Sequence, residues 1–467
     1  MDLAGFSAGE WLLLVQYELL LFASLFFFIG ALDEFAIDCV WLWLKLTGRI
    51  PTGRLDAGVR GEELNGSAAI FVPAWREHFV IGDTLRHARK VWPQRAAVFF
   101  IGCYRNDAET IATVLAASGH DPRVRLVVHD AVGPTTKADC LNRLYRALCT
   151  EERRTTSCFR MVMLHDAEDM VDPDALPILD AALSEADFVQ LPVLPVASPK
   201  SRWIGSHYCE EFAEAHGKGM VVRDALNAGL PSAGVGCAIA RDQLALLARN
   251  RGGGQPFDAA ALTEDYQLGL SIAQDGGRTR FLRVRNAEGQ LVATRSYFPS
   301  DIGAAVRQKT RWLHGIAFQG WDQLGWSASP VESWMRLRDR RGPFAAFVLA
   351  VAYILVVVAG VTILAASFGL VPPIALTPLL WWLLILNLIS VVWRACFRFA
   401  FTTREYGFAE GIRAVLRIPV ANVISIMAGR RAFMAYVRSL AGRAPSWDKT
   451  DHLQHPAKLA LQGSERG

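Results

Sequence analysis

The stretch MVMLHDAED, residues 161–169, joins a short apolar run to an acidic cluster. The run Met161–His165 has the composition of a strand that is buried on both faces of a sheet. Similar runs alternate with amphipathic helical patterns along the middle of the chain. The other predicted strands are Ala69–Pro73, Val98–Cys103, Val124–His129 and Phe188–Leu191, and the predicted helices between them include Val80–Val91, Glu109–Ala117 and Lys137–Leu148. This alternation predicts an α/β domain with a doubly wound, mostly parallel sheet over residues 55–330.

The acidic cluster follows its strand directly, and ligands of such sheets bind beyond the carboxyl ends of the strands. Asp166 and Glu168 stand one residue apart and can share one cation. Carboxylate oxygens suit Mg²⁺ or Mn²⁺, and Mg²⁺ keeps coordination sites for substrate phosphates. The pair therefore predicts a divalent-metal site. The alternative is helix capping, with Asp169 or Asp172 at the start of a helix near Pro173.

A second acidic motif, TED at residues 263–265, follows a glycine-rich loop. A sugar hydroxyl is a poor nucleophile, so a positioned carboxylate base assists its attack. Asp265 is the candidate base, with Glu264 beside it as part of the same catalytic pair. The alternative is again structural: Thr263 would cap a helix that continues through Leu270.

The motif QKTRW, residues 308–312, is predicted to be helical. Gln308, Arg311 and Trp312 stand at positions i, i+3 and i+4 and therefore share one face. The planar guanidinium of Arg311 can bind a diphosphate in a bidentate manner, and Trp312 can stack on a sugar ring. The alternative is an amphipathic helix at a membrane surface, with Arg and Trp as interface anchors.

Loops at other strand ends carry further candidates. The turn GPTTKADCLN, residues 133–142, opens a helix whose N–H groups suit phosphate, and Lys137 adds positive charge there. Glu77 and Asp107 lie in loops that could hold a base and a ribose, although Asp107 could equally be a turn residue. Gly234 could bring the backbone close to an acceptor sugar or could simply form a turn.

Composition narrows the class of protein. The chain has 467 residues, of which 52% are hydrophobic and 20% charged. Its formal net charge of +4 is small and no long basic run occurs, so we expect no nucleic-acid partner. The eight cysteines form no CxxC pair, which predicts reduced structural thiols in a domain that faces the cytosol.

Three apolar runs have lengths typical of membrane spans. One is Leu12–Leu32 in the N-terminal segment 1–50, and the others, Phe344–Phe368 and Leu379–Val392, lie within 343–400. The leader lacks the basic n-region of a cleaved signal peptide. Basic residues flank all three runs on one side. The positive-inside rule then predicts a multi-pass protein of the bacterial inner membrane, with its N-terminus outside and the 55–330 domain in the cytosol.

The stretch 411–437 mixes arginines with apolar residues at helical spacing. We interpret residues 405–440 as a pair of amphipathic helices that lie in the membrane interface. A fourth span is the alternative, and it would move the following tail outside. Residues 441–467 are predicted to be a polar, loosely ordered tail.

The order of these motifs resembles the family 2 glycosyltransferases with a GT-A domain, which include the processive polysaccharide synthases. Among them, the bacteriophage adsorption protein B branch is the most similar. The phrases that carry this resemblance are PTTKADCLN at 134–142, HDAED at 165–169 and WDKTDH at 447–452. The resemblance covers nearly the whole chain.

The resemblance implies an inverting transfer of a hexose or N-acetylhexosamine from a nucleotide-diphosphate sugar, typically UDP-linked, with Mg²⁺ or Mn²⁺ as cofactor. It implies these roles: metal binding for Asp166 and Glu168, the base for Asp265, closure over diphosphate and acceptor for Gln308, Arg311 and Trp312, and contact with the nucleoside for Glu77 and Asp107, with Lys137 nearby. One departure concerns the nucleotide, because Cys103-Tyr104 stands where the family has an aspartate pair near the uracil.

The expected partners are a nucleotide-diphosphate sugar, a glycan or lipid-linked acceptor and the lipid bilayer. An export partner in the outer envelope is a further possible partner. Extension of a polysaccharide is the first hypothesis. Transfer of a single sugar to a lipid carrier is a second. A third is an inert membrane scaffold or phage-adsorption component, against which the intact Asp265, Gln308, Arg311 and Trp312 argue.

Overall fold

The computed structural model describes residues 7–50, 52–55, 62–198, 201–442 and 455–457. The helices are Ala8–Leu46 (α1), Ile81–Val91 (α2), Ala108–Ser118 (α3), Lys137–Thr155 (α4), Ala175–Ala182 (α5), His207–Glu214 (α6), Met220–Ala225 (α7), Arg241–Asn250 (α8), Glu264–Gln274 (α9), Ile302–Leu313 (α10), Gly320–Leu324 (α11), Pro330–Arg340 (α12), Gly342–Ser367 (α13), Pro378–Tyr406 (α14), Phe408–Leu416 (α15) and Ile418–Leu440 (α16). The strands are Gly53–Arg54 (β1), Ala68–Pro73 (β2), Ala97–Tyr104 (β3), Val124–His129 (β4), Met161–Leu164 (β5), Phe188–Gln190 (β6), Val193–Pro195 (β7), Cys237–Ala240 (β8), Thr279–Phe281 (β9), Val284–Arg285 (β10) and Thr294–Ser296 (β11).

The central sheet has seven strands in the order β4-β3-β2-β5-β8-β6-β9. All neighbours run parallel except β8, which is antiparallel to both β5 and β6. The predicted mostly parallel, doubly wound architecture is therefore confirmed. All five predicted strands form, each end within one residue of its predicted position. The short strand β8 was not predicted, and it is the one that reverses direction.

Alternate residues of each strand pack into two separate cores, one on each face of the sheet. Ile70 packs with Leu85 of α2 and with the apolar side of α5. Its neighbour Phe71 points the other way and packs with Leu144 of α4 and with α8. Each fully buried side chain of this size contributes about 1.5–3 kcal/mol. The two covered faces explain why the strands have continuous apolar sequences.

Among the described residues, α1, α13 and α14 are long and apolar enough to cross a membrane, and α15 with α16 would make a fourth span if the bent pair counts as one. The angle between α15 and α16 is 51°, which is typical of a broken span or a re-entrant loop. The placement of residues 405–440 in the interface stays a prediction. Helix α16 packs against both α10 and α13.

The first helix is longer than the apolar run Leu12–Leu32 that predicted it, and continues to Leu46. The aspartates beyond the apolar run are paired: Asp33 binds Arg338 and Arg341 of the segment before α13, and Asp38 binds Lys218 at 2.5 Å. These pairs attach the helix to the α/β domain. Charge neutralisation lets the helix carry acidic residues beyond the apolar run.

Most of the predicted loose tail, including the phrase at 447–452, lies outside the described residues. Residues 455–457 are described, and there the prediction is wrong. His455 is buried, and its Nε2 lies 3.1 Å from the carbonyl oxygen of Asp169. This part of the tail packs behind the acidic cluster of the domain.

Candidate active site

A cleft opens at the carboxyl ends of β2, β3 and β5, where a doubly wound sheet binds ligands. It is bounded by the loops after these strands, by the start of α9 and by one face of α10. The predicted site residues that line it are Glu77, Lys137, Asp166, Glu168, Glu264, Asp265, Gln308, Arg311 and Trp312. Residues from five separate parts of the sequence thus meet in one place.

The acidic cluster is held by Asp169, which does not cap the following helix. Its Oδ2 accepts hydrogen bonds from the backbone N–H of Asp166 at 2.9 Å and lies 3.0 Å from Nδ1 of His165. Burial raises the pKa of Asp169 to about 6. Helix α5 begins later, after Asp174, which makes no side-chain cap bond. The capping alternative therefore does not account for Asp166 and Glu168, which line the cleft.

Lys137 lies at the first turn of α4 and forms an ion pair with Asp166, with 2.5 Å between Nζ and Oδ1. Burial lowers the pKa of Lys137, but Asp166, Glu264 and Asp265 raise it more, so its net shift is upward. Lys137 therefore stays protonated and places one fixed positive charge among three carboxylates. From the sequence we predicted that the positive charge of Lys137 would lie where a phosphate binds.

Asp166 and Glu168 fit a divalent cation of the Mg²⁺ or Mn²⁺ type, since both offer carboxylate oxygens toward the cleft. Within the described part of the chain, no group of three or more His, Cys, Asp or Glu residues could hold a metal ion. A cation here would therefore take its remaining ligands from substrate phosphates and water, as Mg²⁺ commonly does.

The TED motif starts α9, but not through a capping box. Thr263 occupies the N-cap position and makes no side-chain cap bond, and its Oγ1 has no hydrogen-bond partner among the described residues. Asp265 Oδ1 accepts from the backbone N–H of Tyr266 at 2.7 Å. The structural alternative for this motif is thus not supported by the geometry.

The two carboxylates of this motif are strongly affected by their surroundings. Burial raises the pKa of Asp265, and Lys137 and Arg311 partly offset that effect. Burial and the adjacent Asp265 raise the pKa of Glu264 to about 7. A carboxylate with a raised pKa is a stronger base, which is what proton removal from a hydroxyl requires.

Gly234 does not line the cleft as described, although its neighbours Ala233 and Val235 do. It lies behind Asp265 instead, with a φ of +77°. A Cβ added at Gly234 would be 2.5 Å from Asp265 Oδ2. We predicted contact between this glycine and an acceptor, whereas its position indicates a supporting role for the carboxylate.

Helix α10 presents the QxxRW motif to the cleft, while the intervening Lys309 points away and binds Glu211 at 2.6 Å. Gln308 Oε1 is buried and has no hydrogen-bond partner among the described residues. Arg311 acts electrostatically on Asp265 and Glu264. An unpaired buried acceptor beside a guanidinium indicates that a polar ligand completes this wall.

Trp312 packs in an aromatic group with Tyr208, Phe212 and Phe298, whose ring centroids lie 6.0, 6.3 and 6.4 Å from its own. The same helix contacts α16, and Trp312 packs against the cluster that contains Ile424 and Ala428 of that helix. Helix α10 thus lines the cleft and also packs against a helix of the candidate membrane region, and the interface-anchor alternative stays a prediction.

Asp107 is a turn residue, as the alternative interpretation held. Its Oδ2 accepts from the N–H of Arg76 at 2.6 Å, and its side chain caps α3. It is not among the described residues that line the cleft, whereas Glu77 is. Asp107 therefore positions the loop that carries Glu77, and it makes no direct contribution to the lining.

Aromatic side chains form a wall that sequence reasoning missed. Trp75 and Tyr104 pack edge to face, with 5.2 Å between ring centroids, and Tyr104 stacks on His129 at 5.1 Å. Trp75 stands two residues after the end of β2, so an aromatic residue close to a strand end was the available signal. Tyr297 and Phe298 also line the cleft and follow β11, which was not predicted.

Comparison with known proteins identifies the family of this chain. The profile described as glycosyltransferase like family 2 matches residues 66–315, more than half of the chain. Bacteriophage adsorption protein B of Escherichia coli (strain K12) and bacteriophage N4 adsorption protein B of Escherichia coli O157:H7 are each 33% identical over 450 residues. Each alignment covers 91% of this chain and 60% of the relative, so the chain spans about three fifths of these relatives' length.

Among solved structures, the fold is similar to that of mannosyltransferase PcManGT from Pyrobaculum calidifontis in complex with GDP-Man and Mn²⁺. The TM-score is 0.51, with 87% of this chain and 99% of the other covered, at 15% identity. At that identity the likeness concerns the GT-A-like fold alone. The family match confirms the predicted family: the chain belongs to glycosyltransferase-like family 2.

Proposed function

We propose that this protein transfers a hexose or N-acetylhexosamine from a nucleotide-diphosphate sugar to a growing glycan at the cytosolic face of the bacterial inner membrane. The observation that carries the proposal is the meeting of Asp166, Glu168, Asp265, Gln308 and Arg311 in one cleft beyond the strands. Each of these side chains matches one requirement of the reaction.

Asp265 is the proposed base. It takes the proton of the acceptor hydroxyl as that oxygen forms a bond to the anomeric carbon. The bond from the anomeric carbon to the diphosphate oxygen breaks in the same displacement, so the configuration inverts. Burial, which raises the pKa of Asp265, gives this carboxylate the basicity for the task. Glu264, beside it, shares the same buried environment.

The departing diphosphate needs positive charge. Arg311 offers a planar fork with two parallel N–H donors, and Lys137 adds a fixed ammonium at the start of α4. Asp166 and Glu168 would hold Mg²⁺ or Mn²⁺, which when bound offsets charge on the leaving group. Gln308, with its unpaired buried oxygen, is positioned to accept a hydrogen bond from a sugar or acceptor hydroxyl.

The nucleobase of the donor nucleotide is proposed to lie near Glu77, beside the wall formed by Trp75 and Tyr104. A UDP-linked sugar is the first donor to test, because it is typical of the enzymes that the sequence resembles. GDP-Man is the natural comparison, since the mannosyltransferase of similar fold was solved with it. Trp312 and the adjacent Phe298 supply apolar surface for the acceptor ring.

The proposed membrane location rests on the three helices of spanning length, α1, α13 and α14. Basic residues near their common ends favour the cytosol for the catalytic domain. The contact between α16 and α10 brings the QxxRW helix next to this region. A lipid-linked acceptor or a glycan emerging along the helices would reach Asp265 from that side.

The test is release of nucleoside diphosphate by the purified full chain, screened over UDP- and GDP-linked sugars with Mg²⁺ or Mn²⁺. We expect one donor to be turned over, and Asp265→Asn to lower kcat by about 10²–10⁴-fold. Asp242→Asn is the matched control, because Asp242 is exposed on α8 away from the cleft. Turnover of no donor, or equal turnover by both variants, would refute the proposal.

Two further hypotheses are separated by additional measurements. The length of labelled product distinguishes extension of a polysaccharide from transfer of one sugar to a lipid carrier. A scaffold role is suggested by the name of the relatives that are 33% identical, bacteriophage adsorption protein B. If scaffolding alone mattered, Asp265→Asn would leave phage adsorption unchanged in cells that depend on this chain.

A further inference from the structure

A second cavity, apart from the active-site cleft, lies where two of the candidate membrane helices end. Helix α1 contributes Trp41 and Lys45 to it, and α14 contributes Arg404 near its last turn. The loop after α1 adds Arg49, and the edge of the sheet near β9 and β10 forms the remaining wall. It shares no lining residue with the active-site cleft.

The charges in and beside this cavity do not balance. Two carboxylates, Asp224 and Glu405, face six cations: Lys45, Arg49, Arg280, Arg283, Arg285 and Arg404. Arg280 pairs with Asp224 at 3.2 Å. Glu405 is shared by three guanidiniums, with distances of 2.5 Å to Arg283, 2.6 Å to Arg285 and 3.9 Å to Arg404. Among the described residues, no ion pair joins Lys45 or Arg49 to a carboxylate.

Arg283 is the central residue of this group. Its side chain is 8% exposed, and its Nε has no hydrogen-bond partner among the described residues. Burial lowers the pKa of Arg283 despite the ion pair with Glu405, and Arg404 and Arg285 lower it further. A buried guanidinium with an unused donor is costly unless an anion accepts from it. The geometry therefore calls for a ligand with negative charge.

We propose that this cavity binds a phosphate group, held by Arg283 from within and by Lys45, Arg49 and Arg404 at the rim. Phosphate accepts several charge-assisted hydrogen bonds from guanidiniums. One source is the headgroup of an anionic lipid, since α1 and α14 are long and apolar enough to cross a membrane and both contribute residues to the cavity. A soluble phosphate has the same chemistry and is the other source.

The rim of the cavity provides variants that keep the fold. Lys45 and Arg404 are exposed, so Lys45→Gln with Arg404→Gln removes two charges without opening the core. The matched control is Arg430→Gln with Arg431→Gln, which removes the same charge from exposed positions on α16, outside the cavity. If the rim pair fails to fold, Arg49→Gln at the exposed rim carries the same comparison.

The experiment is native mass spectrometry of the purified full chain, titrated with phosphatidylglycerol or phosphatidylcholine. We expect the wild type to retain phosphatidylglycerol preferentially and the rim variant to bind it about tenfold or more weakly, with a much smaller effect in the control. In a second arm, inorganic phosphate is added in detergent while the thermal unfolding midpoint is followed.

Each possible outcome of these two arms either supports or overturns the proposal. Selective loss of phosphatidylglycerol in the rim variant supports a lipid headgroup. A midpoint raised by inorganic phosphate in the wild type but not in the rim variant, without lipid selectivity, supports a soluble source. Equal lipid loss in rim and control variants, which would mean general surface charge only, overturns the proposal. So does the absence of any difference between wild type and rim variant in both arms.

Discussion

Gly234 and Asp265 are in direct contact, and the glycine leaves no room for a side chain: an added Cβ would be 2.5 Å from Asp265 Oδ2. Gly234→Ala should therefore displace the carboxylate, and a shift of about 1 Å at a reacting group can cost about 10²-fold in rate. The measurement is kcat for nucleoside diphosphate release in the presence of acceptor.

A matched control separates this displacement from backbone strain. Gly252 has a φ of +74°, close to the +77° of Gly234, but nothing lies within 4 Å of its added Cβ. Gly252→Ala should keep nearly full activity. If both alanine variants lose activity equally, contact with Asp265 is not the cause.

The pH profile of the reaction should reflect the buried base. Asp265 must be deprotonated to act, so activity rises with pH through its pKa, which burial raises above the ordinary value of an aspartate. Lys137 opposes that shift. Removing its charge with Lys137→Gln should move the acid limb of the kcat profile to higher pH. A limb that stays in place or moves to lower pH would contradict the assignment of Asp265 as the base.

Arg311 should not be replaceable by lysine. A lysine keeps the charge but loses the planar fork that binds two phosphate oxygens. We expect Arg311→Lys to lower kcat/KM by about tenfold to a hundredfold, corresponding to about 1.4–2.8 kcal/mol. Arg307→Lys on the exposed face of the same helix is the control. Equal behaviour of the two variants would argue against diphosphate contact by Arg311.

Removal of divalent metal should abolish activity. Because Asp166 and Glu168 supply only part of a coordination shell, we expect chelation by EDTA to stop turnover and Mn²⁺ or Mg²⁺ to restore it. Asp166→Asn should raise the metal concentration needed for half-maximal activity by about tenfold or more. Full activity in EDTA would show that the carboxylates serve another purpose.

The sheet could be predicted because its strands are buried on both faces, so that apolar runs such as Val98–Cys103 are readable without knowledge of their neighbours. Strand β8, CAIA, was missed because it directly follows Gly234-Val235-Gly236, which indicates a turn. Its reversed direction depends on pairing with β5 and β6, which is a long-range property.

The candidate site residues could be predicted by type, because carboxylates at strand ends and a basic-aromatic motif on one helix face have few structural uses. The exact neighbours of these residues in the folded protein could not be predicted. The contact of Gly234 with Asp265 and the ion pair of Lys137 with Asp166 join segments far apart in sequence. The role of Asp107 was ambiguous locally, because its hydrogen bond to the backbone N–H of Arg76 depends on how the two loops fold together. The aromatic wall of Trp75 and Tyr104 needed the folded loops to become visible.

Helix α16 touches the catalytic helix α10 on one side and α13 on the other, and at Gly429 the approach is so close that an added Cβ would be 2.5 Å from Ala346 Cβ. At Gly429, therefore, no side chain separates α16 from α13. In the proposed membrane location, a change of bilayer thickness that moves α13 should therefore also move α16 and α10, and with them Arg311 and Trp312. Turnover measured in short-chain and long-chain lipids would thus differ even when donor and ion are saturating.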